Sequence, residues 1–188
     1  MIKKMNHRIK VFAAIVGSLF FVGGLVYYMQ RPTDLYDFNN VRDLKPAVHL
    51  VEQNRYWLFE EGDDTDVEWI LKHRSPYQYA FYNKRGKLGI KAARESGKLA
   101  GFVTYWKINF YEGQIQWLVV DSRFRKKGYG RKLLQYAVDD LFAQGCQVVE
   151  LQTRLNNAAG ISLYKKVGFV ETDRDEKKGL IWFQVKKK

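Results

Sequence analysis

The sequence predicts a mixed α+β domain, helices and strands in α/β mixture, behind one N-terminal transmembrane helix. Three observations lead there. Val11 to Met29 are 19 consecutive uncharged, mostly apolar positions. Two runs rich in β-branched and aromatic residues, Lys98 to Tyr111 and Ile115 to Val120, flank the turn-forming pair Glu112-Gly113, which reads as an antiparallel meander. The second run is then followed by a helical stretch, Gly130 to Ala143, and another strand, Gln147 to Thr153, a strand–helix–strand unit.

The N-terminal piece divides into a basic tail (1–10), a transmembrane helix (11–29) and a linker (30–36), ahead of a domain over 37–188. Nineteen helical residues span about 28 Å, against roughly 30 Å of bilayer hydrocarbon. Tyr27 and Tyr28 sit near the end of the run, where amphipathic rings favour the interface. A cleaved signal peptide has a shorter apolar stretch and an Ala-x-Ala-like site, and neither is present; a buried core helix is the other reading, against which stand the run's length and its place at a terminus. Lys3, Lys4, Arg8 and Lys10 precede the run, and Arg31, Arg42 and Lys45 follow within twenty residues. The positive-inside rule favours a cytoplasmic N-terminus by that one charge and the amino group.

The remaining elements follow from periodicity. Asp43 to Gln53 is helical, with Leu44, Val48 and Val51 on one face, and Asp66 to Arg74 is a second short helix with Val67, Ile70 and Leu71 together. Leu88 to Glu95 is a strand. In Gly130 to Ala143 the residues Leu133, Leu134, Ala137, Val138 and Leu141 form one apolar stripe, and Gly145 stops the helix. Asn157 to Lys166 is a helix stopped by Gly168; Phe169 to Asp173 and Leu180 to Val185 make a closing hairpin.

Composition narrows the function. The 188 residues carry a net charge of +12, with 46% apolar and 15% aromatic residues, which excludes wholesale disorder. The single cysteine, Cys146, excludes an intrachain disulfide framework and a multi-cysteine zinc site, and reads as a small buried hydrophobe. No His/Cys/Asp cluster has metal-ligand spacing, so no metal is expected. No nucleic-acid motif is present, although a basic body of +8 over residues 31–188 invites some anionic partner.

The chemistry concentrates where a strand ends at Val119-Val120-Asp121 and a helix opens at Gly130. Arg123, Arg125, Lys126, Lys127, Arg131 and Lys132 gather around Gly128 and Gly130. Helix N-termini present unpaired N–H groups and a positive dipole end, and glycines let successive amides converge, so the segment reads as a pyrophosphate cradle or, by the residues alone, as a basic solvated loop with glycines for its turn. The dinucleotide fingerprint fails because Leu133 occupies its third glycine position, and the P-loop pattern is absent.

At these residues, Arg125-x-x-Gly128-x-Gly130 resembles the acyl-CoA-binding motif of the GNAT superfamily of N-acetyltransferases. A second segment, with Asn157, Gly160, Leu163-Tyr164 and Gly168-Phe169, is similar to that family's later motif. The resemblance implies a mixed, mostly antiparallel twisted sheet flanked by helices, splayed between the strand ending at Val120 and the strand around Val149. Acetyl-CoA, the implied co-substrate, lies in that split. Backbone groups of Leu118, Val119 and Val120 then pair with the pantetheine arm and polarise the thioester carbonyl. Arg125, Lys126, Lys127, Gly128, Tyr129, Gly130 and Arg131 hold the pyrophosphate, and Asn157 contacts the CoA arm. Tyr164 protonates the leaving thiolate while an amine, on a small molecule or a protein, attacks directly. By the residues alone, Asn157 is equally a helix N-cap and Tyr164 a core aromatic.

The resemblance also implies a carboxylate near Gln116 to take the amine's proton, and an amide cannot do this. Glu112 and Glu150 are candidate stand-ins, acting through water, but read first as surface or turn residues; His49 and His73 read as structural. Glu60, Glu61, Asp63, Asp64, Asp66 and Glu68 put six acids in nine residues, either a solvated loop or the mouth of a site for a cationic acceptor. Tyr77, Tyr79, Phe81 and Tyr82 line the same mouth or form an amphipathic strand. Two further function classes stay open: an idle acyl-CoA-binding module and a binder of anionic surfaces. A CoA substrate points to the cytosol for the body of this single-pass membrane protein, against the charge rule.

Overall fold

The computed structural model describes residues 35–76 and 87–188. The basic tail, the transmembrane helix expected over 11–29 and Tyr77, Tyr79, Phe81 and Tyr82 lie outside them. Among the described residues no helix is long and apolar enough to cross a membrane.

One seven-stranded sheet organises the domain. Its strands are β1 (Leu35–Asp37), β2 (Gly89–Glu95), β3 (Lys98–Lys107), β4 (Glu112–Val120), β5 (Val148–Arg154), β6 (Val170–Asp175) and β7 (Leu180–Lys186), in the order β1-β2-β3-β4-β5-β7-β6. Neighbours run antiparallel except β4 and β5, which are parallel. Helices cover both faces. The helix α1 (Asn40–Glu52), the short α2 (Arg55–Leu58) and α3 (Val67–His73) precede β2; α4 (Tyr129–Ala143) links β4 to β5, and α5 (Ala158–Val167) follows β5.

The two faces have separate cores. Leu50, Val51, Ile70 and Leu71 of α1 and α3 pack on Phe102, Trp117 and Val119. Leu133, Leu134 and Leu141 of α4 pack on Val103, Ile115 and Val149, so the stripe legible in the sequence is the buried face. Each such leucine contributes about 1.5–3 kcal/mol. Cys146 is fully buried in the same core.

Four local readings are corrected. The first helix opens at Asn40 rather than Asp43: the Asn39 side chain caps it, accepting from the amides of Val41 and Arg42. Asp43 is fully buried instead, accepting from the Asn39 amide and paired with Arg94 and Arg42. The β3 strand ends at Lys107, because the Asn109 side chain accepts from the Tyr111 and Glu112 amides and turns the chain. Glu112-Gly113 is therefore the start of β4, and Gly113 fits there because a Cβ would stand 2.8 Å from the Leu141 side chain. The sheet also begins inside the expected linker, at Leu35, where β1 pairs with β2 and Asp37 bonds Lys91 at 2.8 Å.

Two features distinguish the central strands. Gly101 faces the Val119 carbonyl so closely that a Cβ would come to 2.5 Å, which lets β3 and β4 lie close together near the loop that follows β4. Further along, Thr104 pairs with Trp117 and Tyr105 with Ile115, leaving Gln116 as the extra residue of a β-bulge. The Thr104 hydroxyl accepts from the Trp117 amide at 3.0 Å and satisfies the interrupted ladder.

Candidate active site

The parallel strands β4 and β5 pair only from Glu112 to Gln114 and Val148 to Glu150. Beyond that they separate, and a cavity of about 590 Å³ opens between Leu118 on one strand and Leu151 to Arg154 on the other. Strand splitting exposes backbone groups on β4 that a neighbour would otherwise cover.

Tyr164 of α5 stands at this split. Its ring lies 5.9 Å from that of Phe183 and 6.3 Å from that of Phe169, which is buried as expected, and its hydroxyl bonds Thr153 on β5. Burial pushes its pKa above the ordinary phenol value, against the smaller opposing effect of Thr153. Tyr164 is thus a protonated hydroxyl at the cavity wall.

Asn157 caps α5: its Oδ1 accepts from the Gly160 amide at 3.0 Å, and its Nδ2 donates to Thr153 Oγ1 at 2.9 Å. Gly160 makes room, since a Cβ there would stand 2.6 Å from that Nδ2. Of the two roles expected of Asn157, the structure shows the helix cap, and the residue also lines the cavity. Gly168, at φ +103°, terminates the helix as expected.

The loop between β4 and α4 divides its cations. Arg123 is held by Asp121, whose carboxyl stays below its usual range through that hydrogen bond. Lys127 pairs with Glu95 at 2.6 Å. Arg125 donates to the Val120 carbonyl at 3.1 Å and to Asn54 at 3.0 Å. Lys126 and Arg131 are exposed. The Tyr129 side chain is buried, with its hydroxyl on Glu95, so of this residue only the backbone remains for an anion. The backbone suits that role. Lys126 and Gly128 both adopt left-handed conformations (φ +61° and +86°), and among the described residues no side chain caps α4. The helix ladder starts with the Lys132 amide donating to the Gly128 carbonyl, so the Gly130 and Arg131 amides precede it. A Cβ at Gly128 would meet nothing within 4 Å, which marks open space over the loop.

The opposite wall was only half legible. Arg154, at the end of β5, donates to the carbonyls of Tyr56 and Phe59, and the Phe59 ring packs 5.4 Å from that of Trp117. These contacts hold α2 and the acidic segment over the split, and Glu60, Asp63 and Asp64 line the cavity. The short α2 has no sequence signal beyond Asn54 before it. Glu112 and Glu150 are not brought in: both lie where β4 and β5 still pair. Burial and the Glu112 charge raise the Glu150 pKa, while Gln184 lowers it. His73 stacks on Trp69 and bonds its carbonyl at 2.9 Å, a structural role.

Known proteins are similar to this chain. The chain is 29% identical over 114 residues, 57% of its length and 76% of the relative's, to the ribosomal protein bS18-alanine N-acetyltransferase of Salmonella typhimurium. It is 37% identical over 65 residues, 35% of its length and 24% of the relative's, to N-alpha-acetyltransferase 30 of Xenopus laevis. Among solved structures, yncA of Salmonella typhimurium, determined with its cofactor acetyl-CoA, matches with a TM-score of 0.66 at 19% identity, over 81% of this chain and 92% of that one. The PaiA N-acetyltransferase of Thermoplasma acidophilum, in complex with coenzyme A, matches at 0.61 and 17%, over 82% and 98%. At those identities the structures establish the fold. The acetyltransferase (GNAT) family model matches residues 46–169. The split sheet, the uncapped helix beside a glycine loop and that match together show that the chain belongs to the acetyltransferase (GNAT) family.

Proposed function

We propose that the chain is a membrane-anchored, acetyl-CoA-dependent N-acetyltransferase acting on a cationic amine. One observation carries the reading: a single cavity joins Leu118 and Tyr164 to Glu60, Asp63 and Asp64. Acetyl-CoA supplies an acetyl group activated as a thioester. The protein's part is to hold it and place an amine against it.

The residues fit that group. Lys126, Arg131 and the amides opening α4 suit a pyrophosphate, and the left-handed loop leaves space above Gly128. The free edge of Leu118, Val119 and Val120 suits an amide-bearing arm. Tyr164 holds a proton for the departing sulfur. As the new C–N bond forms and the C–S bond breaks, its hydroxyl passes that proton on, and the proton lost by the amine replaces it through solvent. No covalent bond to the enzyme is required.

Three acids on the cavity wall favour an acceptor carrying positive charge. The names of the relatives favour a terminal amine on a protein. The test is acetyl transfer to Ala-initiated peptides with basic or neutral following residues. Combined replacement of Glu60→Gln, Asp63→Asn and Asp64→Asn is expected to raise KM for the basic peptide about 10-fold, with kcat and the KM for acetyl-CoA unchanged. An unmoved KM removes the cationic acceptor.

The 19-residue apolar run supports the anchor, and the need for an acetyl-CoA pool supports a cytosolic body. A C-terminal tag protected from protease in intact cells and cleaved after lysis is the expected result. Cleavage in intact cells places the body outside.

A further inference from the structure

Gln116 carries an unused hydrogen-bonding group at the site. It is the bulged residue of β4 and lines the cavity with Trp117 and Leu118. A bulge re-aims a side chain relative to its strand neighbours. The Gln116 carboxamide is oriented from one side only: its Nε2 donates to the Pro76 carbonyl at 3.2 Å. A carbonyl accepts and cannot donate, so this contact assigns the nitrogen, and with it the oxygen. Oε1 is buried and has no partner among the described residues. Buried acceptors are almost always paired, and an orphan on a residue that lines a cavity marks a position where a donor is missing.

The other amides of the region do not share this state. Gln114, also on the cavity wall, has its Oε1 occupied by the Trp106 indole N–H at 3.0 Å. Asn157 uses both ends of its carboxamide on Gly160 and Thr153. Gln116 alone among these three offers a fixed, desolvated acceptor. Its chemistry selects a nitrogen that bears hydrogen.

We infer that Gln116 Oε1 accepts a hydrogen bond from the N–H of the incoming amine and so orients the nucleophile in the cavity. This rests on the acetyltransferase reading of the same cavity. The amide takes no proton in the step; it directs one N–H toward itself, which leaves the nitrogen lone pair turned elsewhere, available for the acyl carbon. The acids at 60, 63 and 64 attract the acceptor, and Gln116 fixes its reacting end.

The test uses the full chain in detergent and two conjugates titrated calorimetrically. In the first, the CoA sulfur is joined through a CH2–C(=O) bridge to the terminal nitrogen of an Ala-initiated peptide, which keeps one N–H. In the second that nitrogen is methylated. CoA alone is the reference. The wild type is expected to bind the N–H conjugate about 10-fold more tightly than the N-methyl one. Gln116→Met, of similar size but without the acceptor, is expected to erase that preference and to bind CoA like the wild type. A wild-type ratio near one overturns the inference on its own, whatever the variant's fold. An equal preference in wild type and Gln116→Met overturns it as well, by assigning the N–H to another group. Failure of the folded wild type to bind CoA is a different result: it overturns the acetyltransferase reading, and this inference with it.

Discussion

Gly128→Glu is expected to weaken acetyl-CoA binding at least 100-fold while the domain stays folded. The two effects separate because the position is sterically open. A Cβ on Gly128 meets nothing within 4 Å, so no core atom moves. The local cost is the left-handed backbone at φ +86°, about 1–2 kcal/mol for a residue with a side chain. In a domain of this size that lowers Tm by only several degrees. The binding cost is of another kind. The carboxylate enters at the uncapped start of α4, beside the exposed Lys126 and Arg131, where a pyrophosphate would otherwise collect the amides and the charge. A loss of 100-fold corresponds to about 2.7 kcal/mol. Calorimetric titration with acetyl-CoA and a thermal melt of the same sample check both halves. Undiminished binding in a folded variant would remove the loop from the cofactor site.

Tyr164→Phe is expected to lower kcat by about 100-fold to 10,000-fold, the range for a positioned general acid, with acetyl-CoA affinity unchanged. The substitution keeps the ring against Phe169 and Phe183 and removes one hydroxyl. Thr153 keeps the hydrogen bond that it accepts from Asn157 Nδ2. The pH dependence has a definite sign. Burial raises the Tyr164 pKa in the folded protein above the unfolded value of 10.0. The phenol is therefore protonated throughout the neutral range and supplies no falling limb to the rate below about pH 10. Its stabilising contribution is complete below that unfolded value and is lost as pH rises toward the folded one. A stopped reaction measured from pH 6 to 9.5 in both proteins checks this. A Phe variant with wild-type kcat would assign the proton to another donor, and no turnover by either protein with intact binding would mark an idle acyl-CoA module.

Local signals in the chain already carried much of this. The α4 stripe, the β3 and β4 runs, Gly128 in its loop and Gly168 at a helix end are decided by neighbours within a turn or two. Their physics is periodicity, φ preference and capping, which act over short stretches. The motif pair around Arg125 and Tyr164 was legible for the same reason. Where the structure departs locally from the apolar pattern, at Asp43 and at Glu112-Gly113, the deciding residue is an asparagine just upstream, Asn39 or Asn109. Both offer a side-chain oxygen to nearby amides, a signal the apolar pattern does not contain.

The chain by itself thus determined the family's two motifs, the strand–helix–strand unit and the acidic segment as a charge block. Only the tertiary structure decided what those parts face. It separated β4 from β5 beyond Gln114, and through Arg154 and Phe59 laid the acidic segment across that opening. It left Glu112 and Glu150 at the closed end, tied Arg123 and Lys127 to acids, and gave Gln116 a bulge and an oxygen without a partner among the described residues. Most of these depend on atoms far apart in sequence, or on a register shift of one residue. Spacing along a chain constrains a helix face or a turn; it does not say which hydrogen bonds a distant segment will occupy and which it will leave for a substrate.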